Sequence, residues 1–180
     1  MAQANKSITN ISIRAPIESD VMDRLAYGFC NEIRKMYGVP SGPVPEMRME
    51  QAQAWFDRLS KHPCGWSITL DEYLVGEARL DNIDYQDGRA RMAIGLFGEA
   101  DLSKGIGRHA IKLVLEHGFE VLHLHRIDLR VLAFNKRAIR CYLACGFIQE
   151  GIERESAHIA GEWHDDVMMS ILDREFTDLR

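Results

Sequence analysis

A short segment rich in glycine and basic residues is the strongest chemical feature of the sequence: Leu102-Ser103-Lys104-Gly105-Ile106-Gly107-Arg108. Glycine lets main-chain N–H groups approach a ligand closely and allows positive φ angles. At the start of a helix, free N–H groups and the helix dipole favour an anion such as a pyrophosphate. The segment is neither a Walker A loop nor a dinucleotide-binding fingerprint. Taken alone, it is either a phosphate-binding turn or an ordinary glycine turn before a basic helix start.

The histidines and cysteines do not form a metal-ligand pattern. His123 and His125 are separated by one residue but lack a convincing third ligand. The four cysteines match no zinc spacing, and we expect reduced, partly buried thiols. Cys141 and Cys145 stand four residues apart in a predicted helix, where a disulfide is awkward, and no base is placed to make Cys141 a nucleophile. The sequence therefore predicts no metal site and no covalent cysteine mechanism.

Strand and helix periods alternate along the chain on both sides of the glycine segment. Apolar residues at every second position predict strands over Ile11–Ala15, Trp66–Leu70, Leu74–Leu80, Ala90–Leu96, Ile127–Val131, Phe147–Glu155 and Asp166–Leu172. Helical spacing predicts helices from Ser19 to Phe29, from about Glu50 to before His62, from Ala110 to Leu122, and from Asn135 to the closing Gly146. Three prolines and two glycines make Tyr37–Pro45 a loop.

This order, β-α-α-β-β-β-α-β-α-β-β, predicts an α/β (α+β) fold. The three strands before the glycine segment form an antiparallel meander, and the strand–helix–strand unit after it places a parallel pair at the centre of a mixed sheet. We expect six to seven strands flanked by about four helices. The 180 residues suit a single domain over residues 1–180, with a polar, flexible segment at Met1–Asn10.

The composition excludes several classes of protein. Hydrophobic residues make up 46% and charged residues 27%, as in ordinary globular domains, and no apolar run is long enough to span a bilayer. Because Met1–Asn10 has no apolar stretch like that of a signal peptide, we expect a cytoplasmic protein. The net charge of -5 and the lack of a basic aromatic face disfavour nucleic-acid binding. Because an exposed strand edge can pair with a second chain, a homodimer through a late strand is an alternative to a monomer.

In order and spacing, the sequence resembles the GNAT superfamily of N-acetyltransferases over roughly residues 11–173. The residues that carry the resemblance are Ile94-Gly95-Leu96, Lys104-Gly105-Ile106-Gly107, Leu124-His125-Arg126-Ile127, Asn135, Ala138, Tyr142 and Gly146-Phe147. Two further segments, Arg14-Ala15-Pro16 with Ser19-Asp20 and Gly161-Glu162-Trp163-His164-Asp165, resemble the RimJ/RimL-like branch, which acetylates the N-termini of ribosomal proteins.

The resemblance implies acetyl-CoA as co-substrate, held where the two central parallel strands splay apart. It places the pantetheine arm against the strand backbone at Ile94 and Leu96, with Asn135 on the pantetheine side. The pyrophosphate would lie on Ser103, Lys104, Gly105, Ile106, Gly107 and Arg108. Two positions depart from the family pattern: Leu102 stands where Arg or Gln is frequent, and Ser103 replaces a common glycine. The backbone cradle does not depend on either side chain.

Acetyl transfer requires an unprotonated amine, and an alkyl amine like that of lysine has a pKa of roughly 10.4. The site must therefore remove a proton, directly or through water. The resemblance makes Tyr142 the acid that protonates the departing thiolate, although its place in an apolar stripe equally suits a core residue. Glu77 is the candidate base, with an ordered water chain or a plain surface role as alternatives. A strand N–H near Leu96 is placed to stabilise the carbonyl oxygen.

Four residues are candidates for binding the acceptor: Tyr37, Trp55, Trp163 and His164. Each of them also suits plain packing. The acceptor is either a protein N-terminal amine or a small cationic amine, such as a polyamine or an aminoglycoside. The loop Tyr37–Pro45 and an expected turn at Ser156–Asp165 border the acceptor site in this interpretation. A non-catalytic acyl-CoA-binding module is the third alternative, because fold does not fix function.

Overall fold

The computed structural model describes residues 10–177. The predicted flexible segment Met1–Asn10 lies outside this range except for its last residue. Seven strands form one sheet in the order β1-β2-β3-β4-β5-β7-β6. Their bounds are β1 Ile11–Arg14, β2 Gly65–Leu70, β3 Tyr73–Asp84, β4 Arg89–Leu96, β5 Arg126–Leu132, β6 Ile148–Ile159 and β7 Glu162–Leu172.

Six α-helices accompany the sheet within the described range. They are α1 Asp20–Tyr27, α2 Asn31–Met36, α3 Met49–Ser60, α4 Ile106–Glu116, α5 Lys136–Leu143 and α6 Asp173–Thr177. A short 3-10 turn covers Glu99–Asp101, and a π turn continues α4 over His117–Val121. Gly146, with φ 90°, follows α5 at the predicted helix end.

The main core lies between one face of the sheet and α4. Paired residues such as Ala78 with Ile94 and Leu80 with Met92 point to this face from β3 and β4. From α4, the buried residues Ile111 and Leu115 pack against them. The period-two pattern of the strands and the helical stripe of α4 thus bury the same apolar surface, as the sequence predicts.

The two central strands separate shortly after they meet. β4 and β5 pair in parallel only from Arg89–Arg91 to Arg126–Asp128. Beyond that point β4 continues to Leu96 and β5 to Leu132, each still paired antiparallel with its other neighbour. The sheet therefore opens a wedge between the two strands, in line with the predicted splayed parallel pair.

The structure corrects the expected number of helices and the late turn. The additional helices are α2 and α6; α2 buries none of its residues, so it has no apolar stripe that sequence periodicity could detect. The segment Ser156–Asp165 is not one turn. It is a hairpin in which β6 runs to Ile159, β7 starts at Glu162, and only Ala160-Gly161 turn. Because β6 is largely exposed on both faces, its outer half shows no apolar alternation.

Candidate functional site

The glycine segment forms an exposed turn directly before α4. Gly105 is the N-cap with φ 86°, and Ser103 has φ 60°. The first bond of the helix joins the His109 N–H to the Gly105 carbonyl at 3.0 Å, so the N–H groups of the first helical turn have no partner within the helix. This geometry suits an anion. It also explains why glycine would be favoured at Ser103, where a side chain costs roughly 1 kcal/mol in the left-handed region.

The edge of β4 that faces the wedge carries peptide groups that no strand of the described residues pairs with, and one of them, the Ile94 carbonyl, accepts a hydrogen bond from Tyr37. The Phe97 N–H donates to the Val75 carbonyl at 3.0 Å and so points toward β3. Successive peptide groups of a strand point to opposite edges, so those of Leu96 and Ile94 point toward β5. Since the pairing of β4 with β5 ends at Arg91, this part of the edge has no strand partner in the described chain. An extended ligand with amide groups fits such an edge.

Tyr37 reaches into the wedge from the end of α2. Its hydroxyl donates to the Ile94 carbonyl at 3.2 Å and lies over Gly95, where a Cβ atom would come within 1.8 Å of it. The residue is 61% exposed as a whole, and its hydroxyl end lies against the main chain of β4. Burial, and then the charge of Glu77, raise the pKa of Tyr37 to about 12. The hydroxyl is therefore a neutral hydrogen-bond donor at physiological pH.

The segment after Tyr37 also touches the far half of the sheet. A Cβ atom at Gly38 would lie 2.7 Å from the Cδ1 atom of Ile159 at the end of β6, and 3.4 Å from Cδ1 of Leu132 at the end of β5. Gly38 has φ 78°. The end of α2 thus bridges β4 and the β6–β7 hairpin across the wedge.

Glu77 is the centre of a polar cluster on the sheet face opposite the main core. It pairs with Gly95 across β3 and β4. Its carboxylate accepts from Trp55 Nε1 at 2.5 Å, from Arg58 Nη2 at 2.8 Å and from Arg79 Nη1 at 3.4 Å. The predicted residues Trp55 and Glu77 therefore meet, but the carboxylate oxygens are already engaged. Because a carboxylate has about four acceptor sites, a role as base is compatible with these three bonds, but they hold the side chain in place.

Tyr142 lies on the inner side of α5, with its ring 5.7 Å from that of Phe147. Burial raises the pKa of Tyr142 above the usual range, and the neighbouring hydroxyl of Tyr37 adds to this. Tyr142 is therefore protonated at neutral pH.

Asn135 caps α5. Its Oδ1 atom accepts from the Ala138 N–H at 3.1 Å, as the capping interpretation predicts. The side-chain NH2 group takes no part in that bond. Capping and a ligand contact are thus compatible in one side chain.

Trp163 and His164 lie at the start of β7 in the hairpin. Trp163 is 61% exposed and stacks on His158 at a centroid distance of 4.6 Å. His164 contacts the ring of Phe134 at 5.3 Å. These contacts give both residues partners within the hairpin region, and their acceptor role stays a prediction.

Several residues of the site escaped the sequence interpretation. Arg58 follows Trp55 by three positions on α3, and Arg79 follows Glu77 by two on β3, so each shares a face with a predicted residue. Arg24 stacks over Phe97 at 4.3 Å. The Nε atom of Arg24 and the Nη1 atom of Arg34 are buried without a hydrogen-bond partner in the described residues.

Residues 10–177 contain no cluster of three or more histidine, cysteine, aspartate or glutamate side chains suited to a metal ion. Within the same range, no helix has the length and apolar character needed to cross a membrane.

Comparison with known proteins adds an independent line of evidence. A family model described as acetyltransferase (GNAT) domain matches residues 10–148. The probable N-acetyltransferase YjcK of Bacillus subtilis (strain 168) is 31% identical over 126 residues, which are 69% of this chain and 69% of that protein. A spermidine N(1)-acetyltransferase of Vibrio cholerae is 34% identical over 103 residues, which are 57% of this chain and 59% of that protein.

The fold has solved counterparts. The crystal structure of spermidine N-acetyltransferase from Vibrio cholerae in complex with CoA and spermine superposes with a TM-score of 0.75 at 23% identity. The superposition covers 93% of this chain and 98% of that chain. It confirms the predicted fold class: a mixed sheet with a central parallel pair and flanking helices.

Proposed function

The chain belongs to the GNAT acetyltransferase family, and on this premise we propose that it transfers the acetyl group of acetyl-CoA directly to a primary amine, foremost a protein N-terminal amine. The observation that carries the proposal is the wedge between β4 and β5, because it combines a free strand edge with an anion-binding helix start. Either feature alone is common. Together they match the two ends of an acyl-CoA, an extended amide-containing arm and a diphosphate.

Coenzyme A would bind through main-chain groups at both ends of the wedge. Its pyrophosphate takes the N–H groups of Ile106, Gly107 and Arg108 at the start of α4, with Ser103, Lys104 and Gly105 completing the turn. Its pantetheine amides pair with Leu96, and with Ile94 once the Tyr37 hydroxyl releases the Ile94 carbonyl. Asn135 keeps an amide available on the far side of the wedge. This cradle needs neither an arginine at position 102 nor a glycine at position 103.

The reaction requires that the carbonyl oxygen of the thioester is stabilised, that the amine loses a proton, and that the departing thiolate of coenzyme A is stabilised or protonated. The amine attacks the thioester carbonyl, and the developing negative charge falls near the Leu96 N–H. The thiolate of coenzyme A then leaves. Tyr142, which is protonated at neutral pH, donates a hydrogen bond to that sulfur. Because burial makes Tyr142 a weak acid, it contributes most when the sulfur carries nearly full negative charge.

Removal of the amine proton is the less defined step. Glu77 lies on the correct sheet face, opposite Gly95, and stays the candidate base. Its bonds to Trp55, Arg58 and Arg79 instead suit a residue that positions the acceptor side of the site. A water held between Glu77 and the amine reconciles both roles.

The balanced charges around Glu77 support a peptide acceptor. Arg58 and Arg79 flank the Glu77 carboxylate, and Arg79 Nε also binds both carboxylate oxygens of Asp81 at 2.9 Å, so these four side chains carry no net charge that would attract a polycation. The unpartnered buried nitrogens of Arg24 and Arg34 are hydrogen-bond donors that an acceptor reaches only if the side chains covering them move. A peptide offers carbonyl oxygens to such donors, whereas a protonated polyamine offers none. Tyr37, Trp55, Trp163 and His164 would border this acceptor.

A polyamine acceptor is the second candidate, favoured by the relative from Vibrio cholerae that is a spermidine N(1)-acetyltransferase. The two candidates differ in one measurable respect. We expect acetyl-CoA-dependent modification of peptides with free N-termini, abolished by N-terminal blocking, and little turnover of spermidine or aminoglycosides at equal concentration. Faster turnover of spermidine than of every peptide would reverse the order of the candidates.

Tyr142→Phe separates an enzyme from a binding module. The variant keeps the ring packing on Phe147 but loses the hydroxyl. We expect the turnover number to fall about 100-fold, with the dissociation constant of acetyl-CoA within about twofold, well under 1.4 kcal/mol. The exposed Tyr85→Phe is the matched control. Unchanged turnover would remove Tyr142 from the mechanism, and absence of turnover with every amine in the unmutated protein would favour the binding module.

We also propose that residues 1–180 form a single domain, that the protein forms a homodimer, which sedimentation would test, and that it is cytoplasmic.

A further inference from the structure

Residues 31–39, which are α2 and the three residues after it, form a strap across the wedge. On one side of the wedge, the Tyr37 hydroxyl donates to the Ile94 carbonyl of β4 at 3.2 Å. On the other side, a Cβ atom at Gly38 would lie 3.4 Å from Cδ1 of Leu132, the last residue of β5. Two consecutive residues of the strap thus contact the two strands that separate.

The two contacts lie at the same level of the sheet. If the parallel register of β4 and β5 is continued beyond their paired part, Gly95 stands level with Leu132. The Tyr37 hydroxyl lies over Gly95, and Gly38 lies beside Leu132. The strap therefore crosses the wedge directly, on the face of the sheet opposite the main core.

The Ile94 carbonyl is the group for which the strap and the proposed ligand compete. It points into the wedge, and a pantetheine amide that pairs with β4 at this position needs it. The strap also lies beside the candidate base, because Glu77 pairs with Gly95 across β3 and β4. The Tyr37 hydroxyl over Gly95 thus lies between Glu77 and the wedge.

Few interactions hold the strap in this position. α2 has six residues and buries none of them. The Nη1 atom of Arg34 in α2 is buried without a hydrogen-bond partner in the described residues, and an unmade bond of this kind opposes the closed arrangement. Residues 40–46, which follow the strap, are all exposed. The strap can therefore move without disturbing the core.

We propose that the strap is a displaceable barrier: the bond between Tyr37 and Ile94 holds it across the wedge, and the pantetheine arm of acetyl-CoA releases it. Release also clears the space between the wedge and Glu77, so that bound acetyl-CoA prepares the acceptor side. The identity of the ligand rests on the proposed function. The barrier itself rests on the contacts of Tyr37 and Gly38 with the two strands.

A barrier of this kind lowers the affinity for the ligand that must displace it. The apparent dissociation constant rises in proportion as the open arrangement becomes rarer. Tyr37→Phe keeps the ring but removes the bond to Ile94. From the usual net contribution of one neutral hydrogen bond, we expect the variant to bind acetyl-CoA about two- to tenfold more tightly. The exposed Tyr85→Phe is the matched control and should bind as the unmutated protein does.

A second substitution acts at the other end of the strap. A Cβ atom at Gly38, where φ is 78°, would come within 2.7 Å of Cδ1 of Ile159. Gly38→Ala should therefore displace the strap and tighten acetyl-CoA binding as Tyr37→Phe does, whereas Gly42→Ala, whose Cβ atom meets open space, should not. The nucleotide part of coenzyme A without its pantetheine arm should bind equally to all of these proteins, because it does not reach Ile94.

Hydrogen exchange of the unmutated protein tests the movement without any variant. A released helix of six residues that buries nothing is marginally stable. We expect the amides of residues 31–39 to exchange faster when acetyl-CoA is bound. A segment that instead closed over the ligand would exchange more slowly.

Two results would overturn the barrier: equal or weaker binding of acetyl-CoA by Tyr37→Phe, or slower exchange of residues 31–39 in the complex. Both are measured on a protein that binds acetyl-CoA, so they leave the proposed function intact. Failure of the proposed function looks different, because neither acetyl-CoA nor its nucleotide part then binds to the unmutated protein. That result would overturn the barrier as well, since its ligand would be wrong.

Discussion

At the scale of single residues, the position of the Tyr37 hydroxyl over Gly95 predicts that substitutions of these two residues have coupled effects on stability. A methyl group at residue 95 would meet the Tyr37 hydroxyl at 1.8 Å but the ring carbon Cζ only at 3.0 Å. We expect Gly95→Ala to reduce the free energy of unfolding by about 2 kcal/mol. In a Tyr37→Phe background the loss should be under half of that, because the clashing oxygen is gone.

Urea unfolding of the four proteins of this cycle measures the coupling between the two positions. Gly42→Ala is the control, since a Cβ atom there meets open space. Equal losses of stability in both backgrounds would contradict the placement of the Tyr37 hydroxyl over Gly95.

The contact of Tyr37 with Ile94 joins residues 57 positions apart, so no local sequence pattern predicts it. The turn at Gly105, by contrast, was predictable because it depends on neighbours alone.

At the scale of elements, Asn135 allows its capping role and its ligand role to be separated. Asn135→Ala removes the acceptor for the Ala138 N–H and should reduce the free energy of unfolding by about 1 kcal/mol. Asn135→Ser restores a capping oxygen and should lose only a few tenths of that. If the amide also contacts pantetheine, both variants weaken acetyl-CoA binding, since serine is too short to reach it.

Chemical denaturation measures the free energy of unfolding of each variant, and titration with acetyl-CoA measures its affinity for that ligand. Full affinity in the serine variant would restrict Asn135 to capping, and equal stability of all three proteins would contradict the cap itself.

The elements that the sequence revealed are those that bury an apolar face. α4 was predictable because Ile111 and Leu115 pack on the sheet at helical spacing. α2 was not predictable, because none of its residues is buried. Its hydrogen bond to the sheet comes from Tyr37, which the sequence pattern places in a loop. The hairpin of β6 and β7 extends beyond the core, so main-chain pairing rather than side-chain burial defines its length.

At the scale of the whole molecule, the wedge explains why the site could be anticipated only in outline. The periods of β4 and β5 predict two strands, but not where their pairing stops, because that depends on how the flanking pairs β3–β4 and β5–β7 twist apart. The cluster around Glu77 likewise needs α3 packed against the sheet before Trp55 and Arg58 can reach it. The separation of the two strands was expected from the resemblance to a family. The diphosphate-binding turn was expected from the residues of the glycine segment themselves.

A partly buried ion pair joins α1 to the sheet, and this gives the molecule a specific response to acid. Asp20, at the start of α1, is fully buried and accepts from Arg14 at 2.6 and 2.8 Å and from Ser67 at 2.7 Å. Burial alone would raise the pKa of Asp20, but the hydrogen bonds from Arg14 and Ser67 prevail and lower it. A carboxylate with a lowered folded-state pKa stabilises the fold above its unfolded-state pKa of about 3.9, and this contribution declines as the pH falls through the folded-state value.

Asp20→Asn should therefore reduce the free energy of unfolding by about 2 kcal/mol at neutral pH, less than for a fully enclosed pair because Arg14 is 29% exposed. The difference between variant and unmutated protein should shrink at about pH 3.5, where the unfolded chain already binds the proton. Urea unfolding at both pH values measures it, with the exposed Glu18→Gln as control. A loss independent of pH would mean that packing, and not the charge of Asp20, joins α1 to β1 and β2.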